Sequence, residues 1–363
     1  MRAPAARGGG VRHALLCLTV LPMGLFRRRK QDPTSLVDRF EKGATPADTA
    51  LKAGVEAVAD GHLAAGVVLL GETRQDPELR SCRMGALADA AIGRSRQIAD
   101  LAALESHNPD LWAWLGDTIV LEAWAIRGGG YASTVGTDRF KVFWSTLESA
   151  YEPLMRAVKL FPEDAAPWET LMWFGLGMQR ERETLDGYWE ELTARCPTLW
   201  MGHWARLQTV SAKWTGSHDE MFAFARDTAE RAPRGSLLTG MVPLAHFEFW
   251  LSEERRLIDA GRGAMALVKE EVRRFGGEHL AEVKAADDKW RRDMRPHLYD
   301  IGAHHLFGGF YARNIMDDDA EERARWHLSR VGNRVAAAPW DYDGGDPVEN
   351  FIKVLQKLRL PLP

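Results

Sequence analysis

The sequence predicts an all-α chain, an α-solenoid of antiparallel helix pairs closed by a helical C-terminal cap. Two observations lead there. The frame Trp-x-x-Leu occurs at Trp112/Leu115, Trp168/Leu171 and Trp204/Leu207, and the last two copies lie 36 residues apart. That spacing is close to the ~34-residue period of a stacked helix–turn–helix unit. Prolines 46, 77, 109, 162, 197 and 233 punctuate the chain at intervals of 31, 32, 53, 35 and 36 residues. Four intervals fit one helix pair, and the third is too long.

Residues 1–33 read as a disordered basic segment. The first 30 residues hold seven basic side chains and no acid, so a chain of net charge −4 is clearly acidic elsewhere. Such a body argues against nucleic-acid binding. The apolar run Ala14 to Phe26 imitates a signal peptide. Pro22 interrupts it, no small-x-small cleavage site follows, and Arg27-Arg28-Arg29-Lys30 comes next. The run is shorter than the ~20 residues of a membrane helix. Translation from Met23 is the plainer expectation, with no stable membrane insertion. Cys17, Cys82 and Cys196 are scattered, without metal-ligand spacing, and fit a reducing cytoplasm.

The solenoid is expected over 34–276. Thr45-Pro46, Asp76-Pro77 and Asn108-Pro109 each put a capping side chain before a proline. The cap accepts from an orphan first-turn amide, and the proline sits where its missing N–H does no harm. Trp168 to Met178 is apolar around most of its surface, as in a helix sandwiched between neighbours. Leu185, Trp189 and Leu192 continue at helical spacing. Further on, Gly216 is expected in the left-handed conformation that ends a helix, with Ser217 and Glu220 forming a capping box for the next. Ser217 and His218 as a nucleophile–base pair is the weaker reading, because neighbours at a helix start do not face one another.

The overlong interval contains Gly128-Gly129-Gly130, each costing about 1 kcal/mol in a helix. An inserted loop over 128–140 follows. It lacks a Gly-Lys-Ser/Thr ending, so it is no phosphate loop. Either it lets backbones approach, or Arg127 and Tyr131 line a ligand groove. Residues 277–363 form the C-terminal helical region, with helices expected at 278–292, 296–315 and 319–337. Asp346-Pro347 caps a last helix ending near Leu358. Asp341 to Asp346 imitates a calcium loop but has Ile352 where the twelfth-position glutamate belongs.

Trp112-x-x-Leu115-Gly116 resembles the opening of a tetratricopeptide repeat, which implies a superhelix of helix pairs over roughly residues 45–275. Two segments, Trp124 to Val135 and Lys213 to Arg226, resemble an uncharacterised bacterial family catalogued as a domain of unknown function. That resemblance implies no activity and transfers no catalytic residue.

Thirteen of the 14 tryptophans lie between 112 and 326, where stacked helix pairs have broad interfaces to fill, so most are core. If Trp112, Trp168 and Trp204 occupy equivalent positions, the inner groove receives Asp110, Asp117, Glu169, Trp173, Thr209 and Lys213. That mainly acidic face suits a basic or extended peptide. His297, Asp300 and His304 fall on one helical face at i, i+3 and i+7 and form a weak metal candidate. The expectation is a protein- or peptide-binding scaffold without catalytic residues or cofactor. The alternative is a small-ligand sensor or metal-dependent enzyme, with its site near Arg127/Tyr131 or His297/Asp300/His304.

Overall fold

The computed structural model describes residues 35–128, 137–314 and 317–363. Among these the chain is all-α, apart from two-residue strands β1 (Glu41–Lys42) and β2 (Arg334–Val335), which pair in parallel. No described helix is long and apolar enough to cross a membrane. The chain gathers into two compact units. One holds Ala47–Thr209, and the other holds Val210–Pro363 together with residues 35–46. The boundary expected at 276 lies inside the second unit.

The first unit runs α1 (Thr49–Ala59), α2 (Ala64–Gly71), α3 (Pro77–Ala90), α4 (Ser95–Leu104), α5 (Pro109–Arg127), α6 (Thr137–Glu148), α7 (Tyr151–Leu160), α8 (Ala166–Gly177), α9 (Arg182–Arg195) and α10 (Trp200–Thr209). The proline ladder marks helix starts as expected at two rungs. Asp76 accepts from the Leu79 amide and Asn108 from the Asp110 amide, each ahead of a first-turn proline. The first rung differs. Asp48, accepting from the Leu51 amide, caps α1, and Thr45 is buried upstream of it.

Packing follows the chain. α1 meets α2 and α3, α3 meets α5, α5 meets α7 and α8, and α8 meets α9 and α10. The insertion ends with α6, which lies on α5 and joins Trp124 to Phe143 at 5.2 Å between ring centroids. Residues 129–136, Tyr131 among them, fall outside the described residues. Trp114, Trp124, Trp173 and Trp200 are all but fully buried, so the tryptophans do fill helix interfaces. Gly116 shows why the frame ends in glycine: a Cβ there would meet the Leu154 side chain at 2.5 Å, so glycine lets α7 approach α5.

The second unit runs α11 (His218–Arg231), α12 (Met241–Asp259), α13 (Ala264–Arg274), α14 (Gly277–Arg291), α15 (Asp300–Ala312), α16 (Asp318–Leu328) and α17 (Pro347–Lys357). Its core centres on Phe247, Phe275 and Phe310, with centroids 5.0–6.4 Å apart. Residues 35–46 dock here. β1 pairs with β2, Gly302 N donates to the Ala44 carbonyl, and Phe40 meets Phe351 edge-on. Ser217 caps α11 through the Glu220 amide, and Asp346 caps α17, both as expected.

Two expectations are corrected. Gly216 does not take a positive φ. Glycine is required because a Cβ would lie 2.1 Å from the Val210 carbonyl oxygen. The helix expected over 319–337 stops at Leu328, after which a turn with Gly332 at φ 62° leads into β2.

Candidate functional site

In the first unit α3, α5 and α8 converge on a polar face. Arg80 on α3 is almost wholly buried, and its guanidinium bridges Asp110 on α5 at 2.8 Å and Asp164 before α8 at 2.7 Å. Burial alone would lower its pKa, but the two carboxylates raise it, so the charge is kept. Asp110 also takes Arg74 at 2.6 Å. Beside Arg80 on α3, Ser81 donates to Glu169 at 2.6 Å, and two residues before it Glu78 accepts the Trp200 amide at 2.9 Å. On the next turns of α5 and α8, Thr170 donates to Asp117 at 2.9 Å.

Glu169 and Asp117 are unlike ordinary surface acids. Burial pushes Asp117 up to about 6, against the stabilising Thr170 hydroxyl. Burial pushes Glu169 up to about 8, helped by the nearby charges of Asp117, Glu78 and Asp164 and opposed only by Ser81. A carboxyl in this setting holds its proton at neutral pH because its anion is poorly solvated and repelled by like charge. Glu78 and Glu169 are half-buried, whereas Asp110, Asp117 and Asp164 are buried.

Of the residues mapped to an inner groove, the structure therefore brings Asp110, Asp117 and Glu169 together. Trp173 is 1% exposed and belongs to the core. Thr209 is buried and returns its hydroxyl to the Ala205 carbonyl. Lys213 lies in the second unit, bonded to Glu248 at 2.6 Å, whose other oxygen accepts from the Tyr342 hydroxyl. Arg127 is buried with its guanidinium over the Trp124, Phe140 and Phe143 rings, and burial lowers it to about 10. Glu78, Arg80, Ser81 and Asp164 were not anticipated. α3 has no tryptophan by which to set its register, although the cap Asp76-Pro77 would have placed all three of its residues in the first two turns.

The second unit holds two histidine clusters. His297, Asp300 and His304 do not converge. Asp300 accepts the His297 amide as a local turn, while His304 meets His327 at 2.9 Å between their Nδ1 atoms. His327 in turn bonds Asp287 through Nε2 at 3.0 Å, and Tyr311 and Arg323 complete that carboxylate. Burial would raise Asp287, but His327 and Arg323 hold it down, and burial drops His304 to about 3. This is a sealed polar network that joins α14, α15 and α16.

The other cluster is His246 on α12 with His279 and Glu282 on α14, and their candidate ligand atoms lie within 4.8 Å of one another. His246 Nε2 meets Glu282 at 3.0 Å, and Arg226 on α11 bonds the other carboxylate oxygen at 2.5 Å. Burial would raise Glu282, yet His246 and Arg226 bring it down to about 2. Burial drops His279 to about 4, with nearby Arg274 adding to it. No protein-family model matches this sequence, and no match appears among curated proteins or solved structures.

Proposed function

We propose that this chain is a tetratricopeptide-like α-solenoid that binds a protein or peptide partner of basic character at the carboxyl face of α3, α5 and α8. The packing of α1 on α3, α3 on α5, α5 on α8 and α8 on α10 supports superhelical order in the first unit. The acidic body and the buried thiols Cys82 and Cys196 suit a cytoplasmic setting.

The observation that carries the reading is the gathering of Glu169 with Asp117, Asp164 and Glu78 on one face, where burial first and these like charges second push Glu169 up to about 8. Such a cluster gains from any cation that reaches it. Because α3 is bonded directly to α8 and to the start of α10, the face is narrow. The contact proposed is a single ammonium or guanidinium group at Glu169. A partner that offers a lysine, an arginine or an N-terminal amine on an exposed segment is therefore favoured.

Fluorescence anisotropy with short lysine-bearing peptides tests this. Glu169→Gln copies the protonated side chain, so it should fold normally and weaken peptide binding by about tenfold, the equivalent of one charge-assisted bond. Equal affinity for the wild type and the variant, or no binding of basic peptides over acidic ones, would refute the reading.

A further inference from the structure

We infer that His246, His279 and Glu282 form a site for a divalent transition-metal ion of the zinc class, independent of the carboxyl face in the first unit. Two nitrogens and one carboxylate oxygen from α12 and α14 already gather within 4.8 Å of one another. The His246–Glu282 edge is 3.0 Å, the spacing of two ligands about 2.1 Å from a shared zinc at near a right angle. His279 and Glu282 stand three residues apart on α14, so they share a face over one turn. This is the His2Glu donor set of open zinc sites, with three protein ligands and a vacant position for water or another molecule. His279 and Glu282 are both half-buried, which puts that position on the accessible side, while His246 closes the floor.

The histidines elsewhere in this unit serve as the comparison. His305 accepts from the Trp340 indole at Nδ1 and uses Nε2 on the Arg334 carbonyl. His327 engages His304 and Asp287 through its two nitrogens. Those rings are fully committed. His246 differs from these two, because its buried Nδ1, like that of His218, has no hydrogen-bond partner among the described residues. The ionised Glu282 accepts the His246 Nε2 proton, so a metal at Nε2 must move that proton to Nδ1, where it stays without an acceptor; zinc binding has to outweigh that one unsatisfied N–H.

Arg226 bonds Glu282 through both oxygens, Nε to Oε1 at 2.5 Å and a longer Nη2 contact to Oε2 at 3.3 Å, and so fixes the carboxylate's orientation, a role that outer partners of metal ligands commonly play. The Arg274 guanidinium lies over the Phe249 ring, 3.7 Å from its centroid. Two imidazoles favour zinc, cobalt or nickel over magnesium or calcium, which take oxygen donors.

Isothermal titration of the full chain with zinc, after chelator treatment and without a histidine tag, tests the site. The expected result is one zinc per chain, undiminished by millimolar magnesium. His279→Ala and Glu282→Gln should each weaken zinc at least about 100-fold, with the circular dichroism spectrum unchanged. Exposed His62→Ala should bind as the wild type does. If His279→Ala does not fold, the near-isosteric Glu282→Gln decides alone. No zinc binding by the wild type, or affinity within threefold of it in the folded variants, would overturn the assignment.

Discussion

At the level of single residues, the acidic face of the first unit depends on Arg80. Its charge is shared by Asp110 and Asp164, and all three are at most 5% exposed. Removing one member of a buried ion network leaves the others uncompensated. Arg80→Ala should therefore cost about 3–5 kcal/mol, read from urea unfolding, and a loss below about 1 kcal/mol would mean that the bridge does not form in solution. Glu169 yields a second prediction. Its folded pKa, about 8, lies above its ordinary 4.5. The folded state therefore holds the proton more tightly, and stability falls as pH rises from about 4.5 to about 8. Glu169→Gln should remove that slope and gain up to about 4 kcal/mol at pH 8, while matching the wild type near pH 4. Parallel stability–pH curves for the two proteins would contradict it.

The sequence was partly legible at this scale. Asp110, Asp117 and Glu169 follow from the tryptophan frame because each lies within five residues of a framed tryptophan. Trp173 lies five residues past Trp168 and Thr209 five past Trp204. Asp117 stands at the same step past Trp112, and all three are buried, so the step leads to the packed side; Asp117 joins the polar face only because Thr170 meets it there. No pattern in one chain reveals which acids a distant arginine will join, so Arg80 and Asp164 emerge only in three dimensions. The same holds for His246 with His279, 33 positions apart, while the local His297/Asp300/His304 spacing drew notice and proved to serve separate bonds.

At the level of elements, helix starts were the most readable feature because capping is local chemistry. Asp76, Asn108, Ser217 and Asp346 all accept from first-turn amides. Asp346→Ala should lower stability by about 1 kcal/mol, seen as a small drop in melting temperature. Gly216→Ala should do more harm, at least about 2 kcal/mol, because the backbone of Val210 cannot yield as a side chain can. A neutral Gly216→Ala would mean that the turn relaxes. Helix ends were harder to read. The stretch 319–337 carries helical spacing, yet the pairing of β2 with β1 takes its last residues, and a two-residue strand leaves no periodic trace.

At the level of the whole molecule, the all-α class was legible in the repeated frame and proline spacing, since both report the length of a helix pair. The two compact units were not, because residues 35–46 join the second one through a strand pair and a few backbone bonds over nearly 300 positions. Function at this scale rests on whether the carboxyl face takes up a cation. The most direct measurement is calorimetric titration of the full chain with a single-lysine peptide at pH 7, in buffers of different ionisation enthalpy. A cation beside Glu169 must drive off the proton held there, so binding should release about one proton per peptide and none in Glu169→Gln. Binding with the same enthalpy in every buffer would contradict a carboxyl face that receives the partner's charge.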